Sequence, residues 1–263
     1  MNGDSNPVNG WRIVPNESWR EIVAEYADRI QQIRDYDPWN RTVPKEPLLG
    51  AREVACPFVA TDDPRVLVVA KRLSLFCGTT AFVAIQSAQT ICDLWESGRF
   101  VLVPLNTRFV LESWSRMHYA VDVLNKMVKT GNIDKAEEWT ERLTFGTRSE
   151  ITFPWGGKGN DVKAIHINDC LCSLQDVLPE YKSLYAFLSE SSHPSFTENM
   201  YFMMAGPPIS NWNNVPFRET MKPMIEKCLT ILERSIEGVL ADFSLIASLE
   251  SVVVQIYRSS NPP

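Results

Sequence analysis

The chain has 263 residues, 44% of them hydrophobic and 22% charged, so it can bury the core of one large domain. Its formal net charge of -6 repels phosphate backbones and argues against nucleic acid as a partner. The six cysteines are scattered through a chain too long to need disulfides, and Met1–Pro7 contains neither a basic start nor an apolar run. We therefore predict a cytoplasmic protein with reduced thiols.

The N-terminal quarter of the chain contains one helical pattern followed by a proline-rich segment. Residues 1–15 are predicted to be extended or disordered, and residues 16–263 to form a single helical domain. Apolar residues recur at helical spacing from Asn16, a candidate N-cap, to Asp35. Five prolines from Asp37 up to and including Pro64 disfavour helix, so we predict a proline-rich surface arm over residues 36–64.

The second predicted helix is the most apolar part of the chain. Asp63 is placed to cap it, Pro64 suits its first position, and the pattern continues to Glu96. This stretch is long enough to span a bilayer, but it contains Lys71, Arg72 and several uncharged polar residues. The prediction is a central core helix and no association with a membrane.

The rest of the chain also follows helical patterns separated by glycine and proline signals. Phe100–Val103 is the one short strand candidate. The remaining predicted helices, the third to the sixth and the last, are Pro104–Lys129, Asp134–Leu143, Val162–Asp176, Glu180–Glu190 and Pro216–Tyr257. We predict an all-α, single-domain helical bundle in which the long second, third and C-terminal helices form an antiparallel core.

Polar side chains on the third and sixth predicted helices form the candidate site. Arg108 and Glu112 are four residues apart and therefore share a helix face, which is either a solvated surface or the wall of a polar pocket. A buried pair would need further partners, and the end of the sixth helix supplies candidates. The candidate pocket residues are Arg108, Glu112, Tyr119, Tyr185, Ser189 and His193.

His193 has two interpretations. Its ring caps the last carbonyls of the sixth helix, or it takes part in acid/base or ligand-binding chemistry beside Arg108 and Glu112. His166 and Cys170 share a helix face, but two further metal ligands are not evident, and no nucleotide or cofactor motif is present. We predict no metal and no cofactor, and the catalytic residues, if there are any, stay unknown.

These motifs resemble those of uncharacterised bacterial all-helical families, domains of unknown function. Those families share a helix with Arg-x3-Glu, followed 70 to 90 residues later by Tyr-x2-Leu-Ser and then by His and Pro or Gly. The matching residues are Arg108, Glu112, Tyr185, Leu188, Ser189, His193 and Pro194. The resemblance covers residues 65–195 and implies an all-helical intracellular domain without an assigned activity.

The chain is more distantly similar to HEPN domains, a helical nuclease superfamily of prokaryotic toxin and defence systems. Members that cut RNA carry an Arg, then four to six intervening residues, then a His on one helix, and this catalytic motif is absent here. Positions 186–188, at the required distance before His193, are alanine, phenylalanine and leucine. RNA cleavage of this kind would require Arg108 or Arg116 to reach His193 through the fold.

Together these features predict a cytoplasmic binding or regulatory protein, in bacterial stress or phage defence, with a polar pocket between the third and sixth helices. The alternative is an enzyme, either a HEPN-like ribonuclease or another metal-independent hydrolase that uses His193 as general base. The ligand, whether a protein partner or a small molecule, is not identified by the sequence. Trp212 and the long last helix predict a homodimer.

Overall fold

The computed structural model describes residues 17–35, 64–97, 102–130, 133–145, 163–192 and 217–260. Within these ranges the chain is helical and contains no strand, so the predicted all-α bundle is confirmed. The helices are α1 Glu17–Glu25, α2 Ala27–Arg34, α3 Arg65–Glu96, α4 Val103–Thr130, α5 Ile133–Phe145, α6 Ile167–Ser173, the 3-10 turn Leu174–Asp176, α7 Tyr181–Ser192 and α8 Phe217–Ser260. The proline-rich arm up to residue 63 and His193 lie outside the described residues.

The first predicted helix is divided into α1 and α2 at Tyr26. The Tyr26 amide donates to the carbonyl of Val23, three residues back, at 3.1 Å, which tightens the turn and interrupts the α-helical pattern. Below the break, Ile30 and Ile33 are buried in the core. The arginine of α2 at position 34 pairs with Asp93 and Glu96, so α2 is attached to the end of α3.

Helix α3 packs against α4 and α8 and contributes Ala84, Ala88 and Ile91 to the core. Among the described residues it is the one helix that is long and apolar enough to cross a membrane by length and composition. In its most apolar window, 44% of the residues are buried inside the protein. The helix has Pro64 as its N-cap, one residue after the predicted cap Asp63, which lies outside the described residues.

The two long helices α4 and α8 run parallel. Trp114 lies against Gly238, and one turn further along both helices His118 hydrogen-bonds Asp242, so the residue numbers of the contacts rise together. Of the three long helices in the predicted antiparallel core, α4 and α8 are therefore the pair that runs parallel. Helix α3, which a short link joins to α4, packs antiparallel to both.

The predicted fifth helix begins later than the sequence pattern suggested. The described residues directly before Ile167, 163–166, are not helical, and His166 has the extended conformation of an N-cap, with φ -71° and ψ 138°. Its Nδ1 accepts a hydrogen bond from the Asn168 amide at 3.2 Å, so the imidazole performs a task that serine or aspartate usually performs. The carbonyl of Lys163 in this extended segment accepts a hydrogen bond from Nε of Arg142 on α5 at 3.1 Å.

The close packing of α4 on α8 depends on glycine at position 238. A Cβ atom there would lie 2.1 Å from Cε2 of Trp114, far inside van der Waals contact. Trp114 is 1% exposed, so the indole has no free space into which it can move. The backbones of the two helices approach each other here because one of them carries no side chain.

We expect Gly238→Ala to lower the free energy of unfolding by about 2–3 kcal/mol, because the added methyl overpacks a fixed indole ring. Gly78→Ala is the matched control, since a Cβ at that helical glycine meets nothing within 4 Å. The control should raise stability by up to about 1 kcal/mol through helix propensity. The urea unfolding midpoints of both variants measure these changes. Equal midpoint shifts in the two variants would contradict the explanation by a steric clash with Trp114.

Candidate functional site

Three of the predicted site residues form a closed ring of hydrogen bonds between α4 and α7. The Nε–H of Arg108 donates to Oε1 of Glu112 at 2.9 Å, and an Nη2–H donates to the hydroxyl of Tyr185 at 2.7 Å. That hydroxyl in turn donates to Oε1 of Glu112 at 2.9 Å. The guanidinium carbon also lies 4.9 Å from the centre of the tyrosine ring. We call these three residues the α4–α7 cluster.

The cluster is neither a solvated surface pair nor a buried one. The side chains of Arg108 and Glu112 are 26% and 19% exposed, between the two alternatives posed by the sequence. Burial, followed by the hydrogen bond to Glu112, raises the pKa of Tyr185, so its phenol keeps its proton. The ring of bonds therefore fixes a cation, a carboxylate and a neutral phenol in one partly open place.

The other predicted site residues are placed differently. Tyr119 is seven residues beyond Glu112, about 10 Å along the helix axis. Burial and then the proximity of Cys170 raise its pKa, so this side chain belongs to the contact between α4 and α6. Ser189 is partly buried one turn after Tyr185, and His193 lies outside the described residues.

A second polar cluster, which sequence reasoning missed, lies on the face of α4 toward α8. Nδ1 of His118 is 3.1 Å from Oδ2 of Asp242, and the Trp114 indole hydrogen-bonds the same carboxylate. His118 and Asp242 are only 6% and 8% exposed. A recognisable signal existed in the sequence, because Gly238 and Asp242 stand four residues apart in an otherwise apolar part of the last helix.

Burial is the main influence on the Asp242 carboxyl. Desolvation raises its pKa, and the hydrogen bonds from His118 and Trp114 only partly oppose this effect. The folded protein therefore binds this proton more tightly than the unfolded chain does. The unfolding free energy contributed by this group falls as pH rises through the folded-state pKa.

Most of the described thiols are buried and unreactive. Burial raises the pKa of Cys92, Cys170 and Cys228 to about 12, which suppresses the thiolate. Cys172 is exposed, as expected from its position on the opposite side of α6 from Cys170. No group of three or more metal-binding side chains occurs in the part of the chain that the structure describes.

A cleft of about 340 Å³ lies elsewhere, between α1, α2 and the end of α3. It is lined by Ala24, Ala27 and Ile30 and by the charged residues Arg20 and Glu96. None of its lining residues belongs to the α4–α7 cluster or to the His118 cluster. The two polar clusters are therefore contacts between helices and not the walls of this cleft.

We expect Glu112→Ala to destabilise the protein by about 1.5–3 kcal/mol, because it removes the shared acceptor of Arg108 and Tyr185. The double variant Arg108→Leu with Glu112→Met should cost less than the sum of the two single changes. Glu138→Ala, which breaks the looser Glu138–Arg142 pair of the same spacing, should cost under about 0.5 kcal/mol. The denaturant midpoints of these variants measure the changes in stability. Small and additive shifts for the cluster variants would show that its hydrogen bonds do not stabilise the fold.

We expect the contribution of Asp242 to wild-type stability to fall as pH rises above the usual aspartate range, and Asp242→Asn to remove this part of the pH dependence. The asparagine keeps polar atoms near His118 and Trp114 but cannot ionise. Urea unfolding at a series of acidic pH values measures both slopes. The exposed Glu138→Gln serves as control and should follow the wild type; the same slope in the Asp242→Asn protein would contradict the assignment.

Comparisons with protein-family models, with curated proteins and with solved structures found no match to this chain. The resemblance to bacterial helical families therefore stays a prediction from the motif residues.

Proposed function

We propose that this protein is a binding or regulatory protein of the bacterial cytoplasm, acting in stress response or phage defence, and that the α4–α7 cluster is its recognition site. The cellular setting rests on the motif resemblance. The observation that carries the molecular part is the closed hydrogen-bond ring of Arg108, Glu112 and Tyr185. Such a ring holds its donors in fixed positions before a ligand arrives, which reduces the entropy lost on binding.

The cluster suits a ligand that accepts hydrogen bonds without carrying a large charge. Arg108 uses Nε and Nη2 within the ring, and its Nη1 makes no hydrogen bond to any described residue. The arginine and glutamate charges cancel, and the chain as a whole carries -6, so phosphate is disfavoured. A backbone carbonyl of a peptide or protein partner has the required chemistry.

Proton transfer fits the cluster less well than binding does. A tyrosine that acts as general base needs a lowered pKa, and the pKa of Tyr185 is raised. The Glu112 oxygen that faces the ring already accepts two hydrogen bonds. These groups serve to hold an acceptor in place.

The test begins with a photoreactive amino acid at the exposed position 186 of α7, next to Tyr185, in cells that naturally make the protein. The same probe at exposed position 79 of α3 is the control. A partner captured only from position 186 is then purified. We expect Tyr185→Phe to weaken its binding by about tenfold, because one hydroxyl that bridges two charged groups is lost.

Arg142→Ala provides the matched control for charge, since this arginine also belongs to a pair spaced by four residues but lies on α5. It should bind the captured partner like the wild type. Equal affinity of Tyr185→Phe and wild type would overturn the assignment of the site. Hydrolysis of RNA or an ester by the wild type, abolished by His193→Ala, would instead support the enzymatic alternative.

A further inference from the structure

We draw no further inference here: the strongest candidate, the surface patch of exposed apolar side chains at the start of α4 (Leu102, Leu105 and Phe109), carries none, since nothing in the part of the chain that the structure describes shows what covers it.

Discussion

The contact between the Trp114 indole and the bare backbone of Gly238 sets the arrangement of the bundle. It brings α4 and α8 close enough for the indole N–H to reach Asp242 and for His118 to bond the same carboxylate. A larger residue at position 238 would separate the helices and remove both polar bonds together. Because Gly238 has no side chain, α4 and α8 lie close together, and this distance allows Trp114 and His118 to bond Asp242.

Helix positions followed from the sequence because proline, glycine and helical spacing mark them locally. The bounds of α3, α4, α5 and α7 differ from prediction by at most two residues. The two larger differences arose where a single residue changed the local bonding. At Tyr26 a tight turn divides a helix, and at His166 a side chain caps a helix that begins five residues late.

The two polar clusters also differ in whether their pairing could be predicted from nearby residues in the sequence. Arg108 and Glu112 lie four residues apart in the sequence, so their pairing follows from helix geometry. His118 and Asp242 are 124 residues apart, and their pairing depends on α4 and α8 running parallel. The predicted antiparallel core did not say which two of the three long helices run parallel, so it did not indicate this pairing. Helix direction is a property of the packed bundle, which no short pattern records.

Helix α4 is the element through which these features are coupled. It contacts α3, α5, α6, α7 and α8, so its rotation about its own axis decides which residues face each neighbour. Fixing Trp114 against Gly238 fixes that rotation, because the indole is fully enclosed. Arg108 is then directed to Tyr185 on α7, and Leu105 is left on the sector that the described helices do not cover. The geometry of the α4–α7 cluster and the exposure of Leu105 therefore depend on a contact made on another side of the same helix.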